Sequence, residues 1–350
     1  MIGARETRET RHARHGGSMA SGIFVVGRNR SGTKWLSNSI GNHPDVSCIR
    51  SGLGRRTGIL EANLFQHFPA IFGDLSIDDH YYAFLASFKH SNYFLLTGLP
   101  ESVLYERRHP DYLSLFHFLM DRTAEARGKP MWLQKATSLM LPELHRAFPD
   151  AKFIVIQRMN VRDNVRSSIA LGSRGSALER HKPKRVAREL LSYYVHRATE
   201  RAYLHHPNVL RVTYEDLRER RESTLRQVCD FVGLAFHASL MEDLYQPNSS
   251  FVARKRDRVF TSVDAWVYRL LHPFARAVPG SMLRSFQAME QRLVGRRRDG
   301  RRLVSGAFGM YRNEVEQQYL DVGATAADVS PQTHVPDTAV RTASGSSRPA

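Results

Sequence analysis

The sequence predicts a three-layer α/β fold in which helices flank a central parallel sheet. Three short apolar runs indicate buried strands, and each leads through a polar turn into a helical pattern; they occupy residues 23–26, 152–157 and 209–213. Unbroken apolar strands are typical of parallel sheets that are covered on both faces. The chain has 350 residues, of which 42% are hydrophobic, so it is long enough to bury one large core.

The organisation of the chain follows from where the apolar pattern begins and stops. Residues 21–320 are predicted to form a single domain. Within it, residues 47–130 show helical periodicity and form a predicted cap, and residues 260–300 form a basic amphipathic lid. Residues 1–20 are rich in Arg, His and Gly, and residues 321–350 in Ala, Thr, Ser and Pro, so both ends are predicted to be disordered.

The charge and the cysteine content narrow the class of protein. Lys and Arg number 51 against 34 Asp and Glu, which gives a formal net charge of +17 and favours a polyanionic partner. No nucleic-acid-binding module is recognisable, so a nucleotide or an anionic membrane face is preferred to nucleic acid. No stretch approaches the ~20 apolar residues that span a bilayer. Because Cys48 and Cys229 are too few for a disulfide framework or a metal site, a cytoplasmic protein is predicted.

The first strand-to-helix turn, residues 27–33, has the features of a phosphate site. A strand that enters a helix through a glycine-containing turn directs backbone N–H groups and the positive end of the helix dipole at one point. A triphosphate-binding P-loop requires Gly-Lys-Ser/Thr at its end, because the lysine reaches the terminal phosphates and the hydroxyl holds magnesium. Here Thr33 precedes Lys34, so the order is inverted and a kinase or ATPase is disfavoured.

The ten residues from Gly27, GRNRSGTKWL, resemble the 5′-phosphosulfate loop of the sulfotransferases that use 3′-phosphoadenosine 5′-phosphosulfate (PAPS). The resemblance implies a P-loop-like nucleotide-binding topology. It also implies that Arg30 contacts the bridging and sulfuryl oxygens and that Trp35 faces the adenine. The nucleotide-binding residues that it implies in this turn are Arg28, Arg30, Ser31, Gly32, Thr33, Lys34 and Trp35.

A second match follows the strand at residues 152–157. The family's 3′-phosphate site has an arginine at the strand end, an Arg-Asp or similar pair, and a serine one helical turn later. Arg158, the pair Arg162-Asp163 and Ser167 fit this arrangement. Two departures are the absence of the usual proline after Arg158 and one extra residue before Asp163, so Ser168 is an alternative to Ser167. An ion-paired, purely structural Arg158 is the other interpretation.

A third match is the Tyr-Glu-Asp-Leu sequence that begins at Tyr214, because in the family this tyrosine lies near the adenine. Further along, Lys255 occupies the position at which a late basic loop of the family closes over the 3′-phosphate. The glycine that usually accompanies this loop is absent, and a solvated run of charged residues is nearly as good an interpretation. The resemblance extends over roughly residues 22–260. Residues 263–293 alternate apolar residues and arginines, which indicates a lid, or else a helix pair in contact with anionic lipid.

The resemblance also implies the catalytic residues. Lys135 ends a strand where the family places a lysine that neutralises the phosphosulfate, and Arg30 would share that role. Cytosolic members have a catalytic histidine at the position of Thr137, so the base must come from elsewhere. Glu61 is the predicted base, in the manner of carbohydrate-modifying relatives, and a carboxylate favoured by a helix start is an equal alternative; His67 and His80 are reserves.

The function predicted from these matches is PAPS-dependent transfer of a sulfuryl group to a hydroxyl of a carbohydrate or lipid-linked acceptor, without a metal ion. One alternative is a protein of the same fold that binds the nucleotide without turnover, which would suit the missing histidine and proline. A less favoured alternative is an ATP-dependent kinase of similar fold.

Overall fold

The computed structural model describes residues 21–51, 58–61, 63–66, 68–172, 184–242, 260–283 and 285. The predicted lead (1–20), the predicted tail (321–350), Lys255 and His67 lie outside these residues. The strands are β1 (Ser21–Gly27), β2 (Val46–Cys48), β3 (Arg50–Ser51), β4 (Gly58–Ile59), β5 (Met131–Thr137), β6 (Lys152–Gln157) and β7 (Val209–Thr213).

Helices surround these strands and connect them. The α-helices are α1 (Thr33–Gly41), α2 (Asn63–Gln66), α3 (Pro69–Phe72), α4 (Asp78–Phe88), α5 (Asn92–Leu95), α6 (Tyr112–Ala126), α7 (Leu141–Ala147), α8 (Val161–Gly172), α9 (Lys184–Arg201), α10 (Tyr214–Glu219), α11 (Arg221–Val232) and α12 (Ser262–Ala277). Short 3-10 turns cover Glu101–Tyr105, Ser138–Met140 and Ala238–Met241.

Five of the strands form one parallel sheet in the order β2-β5-β1-β6-β7, which confirms the predicted α/β fold. β1 lies at the centre. Val25 is in register with Lys135 of β5 on one side, and Val26 with Val155 of β6 on the other. Since strands β1, β5, β6 and β7 are adjacent and parallel, their carboxyl ends lie together at one edge of the sheet.

The two faces of β1 belong to two different cores, which accounts for the three layers. Phe24 and Val26 pack into a core shared with α6, α7 and the cap helices, whereas Ile23 and Val25 pack into a core shared with α1 and α11. All four side chains are fully buried. This alternation is what a strand covered on both faces requires.

The structure differs from the sequence expectations in two places. The start of the region predicted as a helical cap contains the end of edge strand β2 and the short strand β3. A helix does not begin at Glu61, which lies in a parallel bridge with Lys135 and is followed by two short helices, α2 and α3. β2 escapes sequence analysis because it is three residues long, with Ser47 in its middle, so no periodicity can develop.

Helix α12 packs on α8 and α9 rather than on the sheet. Val267 of α12 joins Val165 and Ile169 of α8 and Leu190 of α9 in a third apolar cluster. Thr261 and Asp264 cap the start of α12 reciprocally. Across the described ranges, no helix has both the length and the apolar character needed to cross a membrane.

Candidate functional site

Four strands end at the same edge of the sheet, and the residues that the sequence singles out lie there. The turn of residues 28–32 follows β1, Lys135 lies near the end of β5, Arg158 follows β6, and Tyr214 follows β7. In open parallel sheets, ligands bind in the crevice outside these carboxyl ends. The topology therefore brings together the predicted contacts to both ends of a nucleotide.

The turn between β1 and α1 has a tight, partly left-handed backbone. Arg30 has φ 71° and Gly32 has φ 97°. A Cβ atom at Gly32 would lie 2.8 Å from the Tyr214 ring, so glycine permits the turn to pack directly against the end of β7. α1 starts at Thr33, and no described side chain caps its first turn. Its leading N–H groups have the arrangement that binds anions at helix starts.

Arg28 is buried and connects this turn to two helices. Its Nη1 donates to Asn164 Oδ1 and, at 2.9 Å, to Ser168 Oγ of α8. Its Nη2 lies 2.5 Å from Glu189 Oε2 of α9. Burial lowers the pKa of Arg28, and the charge of Glu189 opposes that shift. These contacts hold the turn against α8 and α9, and the predicted role of Arg28 as a phosphate ligand stays a prediction.

The turn after β1 contacts both the turn after β6 and helix α8, which follows that turn. Arg30 Nε donates to Ser167 Oγ at 2.8 Å, and Asn164 Nδ2 donates to Ser31 Oγ at 3.2 Å. Arg158 Nη1 lies 3.5 Å from the carbonyl oxygen of Arg30. The side chains predicted for the 5′-phosphosulfate end and for the 3′-phosphate end therefore face the same space. Ser167 contacts Arg30, while its alternative Ser168 contacts Arg28.

Arg158 is held in one orientation by its neighbours. Its guanidinium carbon lies 4.6 Å from the centre of the Tyr214 ring, and Nη2 lies 3.8 Å from Asp163 Oδ2. A guanidinium stacked on an aromatic ring keeps its N–H groups directed outward in its own plane, above the ring, where they can donate to an anion. Arg158 is 9% exposed, so an anion bound there would be partly desolvated.

Lys135 and Glu61 meet on the other side of the turn. Lys135 Nζ lies 3.2 Å from Glu61 Oε1, and their backbones form a parallel bridge. The lysine side chain is 8% exposed and the glutamate side chain 46%. The pair thus combines a buried cation with a carboxylate that a bound molecule can reach.

The segment before Glu61 is fixed to α1. Ile59 N donates to Asn38 Oδ1 at 3.0 Å. A Cβ at Gly58 would lie 2.6 Å from Lys34 Cε, so the lysine side chain runs directly past this glycine. The contact places Lys34, a predicted phosphate ligand at the start of α1, beside the strand that leads to Glu61.

Trp35 is deeply placed. It is 6% exposed and belongs to the core formed with α11. Its ring meets Tyr214 edge-on at 6.1 Å between centroids, and the Arg221 guanidinium carbon lies 5.5 Å from the ring centre. Trp35 thus supports the tyrosine on which Arg158 stacks, and its predicted contact with adenine stays a prediction.

A buried polar group lies beneath the turn. Gln157 Nε2 donates to Glu200 Oε2 at 2.9 Å, and Ser138 Oγ lies 2.7 Å from His196 Nδ1. Burial raises the pKa of Glu200 to about 7. Burial, with the nearby charge of Arg28, lowers the pKa of His196 to about 3. Both side chains are therefore neutral over much of the acidic range.

Several of these contacts were missed by sequence reasoning. Asn164 lies on the same face of α8 as Ser167 and Ser168, at spacings of three and four residues, and this helical spacing could have indicated it. Glu189 carries no such local signal, because it lies in α9, far from Arg28 along the chain. His80, a reserve base, contacts the carbonyl oxygen of Asp74. Among the described residues, no group of three or more His, Cys, Asp or Glu is arranged to hold a metal ion.

Known proteins of one family are similar to this chain. Among solved structures, the chain is similar to the sulfotransferase domain from the curacin biosynthetic pathway (16% identity, 72% of this chain and 83% of that chain covered, TM-score 0.43). It is also similar to the sulfotransferase domain of the Synechococcus PCC 7002 olefin synthase (17%, 75% and 98%, 0.44) and to mouse sulfotransferase SULT7A1 complexed with PAP (15%, 77% and 89%, 0.40). No curated protein matches by sequence. The profile described as "Sulfotransferase family" matches residues 22–238, more than half of the chain, and this chain therefore belongs to the sulfotransferase family.

Proposed function

We propose that this protein transfers the sulfuryl group of PAPS to a hydroxyl group of a carbohydrate or lipid-linked acceptor. The observation that carries the proposal is the direct contact of the turn after β1 with helix α8, which follows β6, through Arg30 and Ser167 and through Ser31 and Asn164. A donor with one phosphate at each end of its ribose could engage both segments at once. Bound donor would replace the contact between Arg30 and Ser167 with contacts to its own oxygens.

The roles at the two ends differ. The backbone of residues 31–34 would receive the 5′-phosphate at the start of α1. Arg158 and Ser167 would receive the 3′-phosphate, with Arg158 already oriented by Tyr214. A 3′-phosphate distinguishes PAPS from ATP, so this second site would supply the preference for the sulfuryl donor.

The proposed reaction is an in-line displacement at sulfur. A bond forms between the acceptor oxygen and sulfur as the bond between sulfur and the bridging oxygen breaks. The acceptor proton passes to the Glu61 carboxylate, and the electron pair of the broken bond remains on the departing adenosine 3′,5′-bisphosphate. Arg30 and Lys135 would stabilise the charge that develops on that leaving group. Because the donor carries no triphosphate, the reaction does not require magnesium.

The acceptor class in this proposal rests on the resemblance of the sequence and not on a cavity. The cap contains a cavity of about 700 Å³. One of its lining residues, His117, packs against Phe148, which precedes β6, and against Trp132 near the start of β5. That side of the cavity therefore lies towards the amino ends of the strands, whereas the candidate site lies at their carboxyl ends.

The exposed face of α12 supports peripheral contact of a cytoplasmic protein with an anionic membrane. Val263, Trp266, Leu270 and Phe274 recur at helical spacing and are between 49% and 68% exposed. The exposed charged residues of this helix are arginines, whereas its one acid, Asp264, is buried in the helix cap. An apolar stripe beside cations is the pattern of helices that lie at an anionic lipid surface.

The central test is transfer of label from ³⁵S-labelled PAPS in the presence of a cell extract, combined with calorimetry. We expect labelled product without added magnesium, and tighter binding of adenosine 3′,5′-bisphosphate than of ATP. Tight bisphosphate binding with no transfer to any acceptor would favour a nucleotide-binding protein without turnover. Tighter, magnesium-dependent binding of ATP would favour a kinase. The exposed Glu61 carboxylate beside Lys135 is the feature that favours turnover over binding alone.

A further inference from the structure

The turn that follows β6 is fixed by a residue that follows the neighbouring strand, β7. Met159 N lies 3.1 Å from each carboxylate oxygen of Glu215, and Asn160 N lies 3.1 Å from Oε1. Glu215 is the second residue of α10, after β7, and its carboxylate receives both backbone N–H groups that follow Arg158. Hydrogen bonds to a charged carboxylate are about twice as strong as those between neutral groups.

Two further contacts hold the same arginine. The Tyr193 hydroxyl donates to the carbonyl oxygen of Arg158 at 2.9 Å. The Tyr214 ring, one residue before Glu215, lies under the Arg158 guanidinium at 4.6 Å. The dipeptide at 214–215 therefore holds both the side chain of Arg158 and the backbone that follows it.

The start of α8 has a separate cap, so Glu215 is not needed to begin that helix. Asn160 Oδ1 accepts from Asp163 N at 3.0 Å, as a helix cap does. The neighbouring acids of α10 are occupied differently. Asp216 is paired with Arg220, and Glu219 with Arg218 on the surface. Among these acids, Glu215 alone contacts the turn that bears Arg158 within the described part of the chain.

We propose that Glu215 is a positioning residue for the 3′-phosphate site: by binding the N–H groups of Met159 and Asn160, it fixes the direction of the Arg158 guanidinium and thereby sets the preference for a 3′-phosphorylated nucleotide. The inference rests on the proposed function. Glu215 itself does not touch the nucleotide. Because its carboxylate already accepts hydrogen bonds from the N–H groups of Met159 and Asn160, the incoming 3′-phosphate would bind the Arg158 guanidinium instead of these amides.

The test compares two nucleotides that differ only in the 3′-phosphate, adenosine 3′,5′-bisphosphate and adenosine 5′-monophosphate, by calorimetry. Wild type should bind the bisphosphate more tightly. Glu215→Ala should reduce this preference about ten-fold, with the affinity for the monophosphate changed less than about two-fold. Glu215→Gln keeps the size of the side chain and one acceptor, so its preference for the bisphosphate should lie between those of wild type and Glu215→Ala. Glu215→Gln serves as the test if Glu215→Ala is unstable.

The matched control is Glu219→Gln, which makes the same charge change as Glu215→Gln on the same helix without touching Arg158. It should retain the wild-type preference. An unchanged preference in both Glu215 variants, beside a wild type that does discriminate, would overturn the positioning role and leave the proposed function intact. A wild type that binds both nucleotides equally would instead refute the proposed function, and this inference with it.

Discussion

The carboxylate of Glu61 lies 3.2 Å from the ammonium group of Lys135, across a parallel bridge that joins the segment after β4 to β5. The two residues are far apart in the sequence, and each was a candidate for a separate catalytic role. Their contact places the proposed base beside the proposed stabiliser of the leaving group. It also gives Glu61 a defined position that does not depend on a helix start.

Glu61→Gln should reduce kcat for sulfuryl transfer by about 10²- to 10⁴-fold, because the amide cannot accept the acceptor's proton. The dissociation constant of adenosine 3′,5′-bisphosphate should change less than about two-fold. Glu101→Gln is the matched control, since Glu101 forms an exposed pair with Lys89 at 2.9 Å, and it should leave kcat unchanged. If Glu61→Gln retained the wild-type kcat, Glu61 would not be the general base, and His80 would be the next candidate.

Arg158→Ala should weaken the binding of adenosine 3′,5′-bisphosphate by about 10- to 100-fold, whereas the affinity for adenosine 5′-monophosphate should change little. Only the bisphosphate carries the phosphate that this guanidinium would bind. Titration calorimetry measures both. Arg226→Ala is a suitable control, because Arg226 also lies over an aromatic ring, that of Phe236 at 4.0 Å. Equal losses for the two nucleotides would contradict the 3′-phosphate role of Arg158.

Arg28→Met should lower the free energy of unfolding by about 3–5 kcal/mol, because it leaves Glu189 and Asn164 without their buried partner. Urea unfolding followed by circular dichroism measures the loss. Arg218→Met removes an exposed ion pair and should change stability by less than about 1 kcal/mol. A small loss in Arg28→Met would show that these contacts are dispensable, which would favour the predicted role of Arg28 as a phosphate ligand.

Glu200 and His196 should make opposite contributions to the pH dependence of stability. Burial raises the pKa of Glu200 from 4.5 to about 7, so its contribution is fully present below pH 4.5 and is lost as the pH rises through 7. Burial lowers the pKa of His196 from 6.5 to about 3, so its contribution is present above pH 6.5 and is lost as the pH falls towards 3.

Glu200→Gln therefore removes the contribution to stability that is lost as the pH rises, and keeps the contribution of His196, which is lost as the pH falls. Relative to wild type, the free energy of unfolding of this variant should increase by up to about 3 kcal/mol between pH 4.5 and 7. Urea titrations at several pH values measure the difference. His196→Gln should show the reverse trend between pH 3 and 6.5. Parallel curves for wild type and Glu200→Gln would mean that Glu200 titrates at the same pH in the folded and unfolded chains.

Trp266→Ser combined with Phe274→Ser should weaken binding to vesicles that contain phosphatidylserine by at least about ten-fold, because it removes two of the largest apolar side chains of the exposed stripe. Co-sedimentation measures binding, and vesicles of phosphatidylcholine alone should bind weakly. The control is Tyr82→Ser combined with Ile77→Ser, which removes comparably exposed apolar residues near the start of α4. Undiminished vesicle binding in the α12 variant would rule out this surface as the contact.

The sequence was most informative where a pattern was long and local. Strands β6 and β7 have the predicted limits, because each carries an apolar pattern over five or more residues. Because parallel strands share their carboxyl edge, residues that follow β1 and β6, such as Arg30 and Arg158, are expected to lie close together. The Arg158 guanidinium is indeed within 3.5 Å of the Arg30 carbonyl oxygen.

The sequence was least informative where a side chain had a choice of partners. A basic residue in a glycine-containing turn suggests an anion ligand, yet the donors of Arg28 are directed to Asn164 and Glu189. Those partners are more than 130 residues away, on helices whose packing no local pattern specifies. Similarly, the bridge between Glu61 and Lys135 depends on the register of two distant segments, which composition and periodicity do not encode.

The central position of β1 has a consequence for how the protein folds during synthesis. β1 pairs only with β5 and β6 in the described sheet, and its first residue, Ser21, is in register with Met131. When the ribosome has made the first hundred residues, this strand, whose central residues 23–26 are all apolar, still lacks both of its partners. Such long-range pairing slows folding and leaves aggregation-prone apolar segments exposed. We therefore expect the nascent chain to depend on chaperones until β6 has emerged from the ribosome. The candidate site, which combines residues that follow β1, β5, β6 and β7, should be among the last features to form.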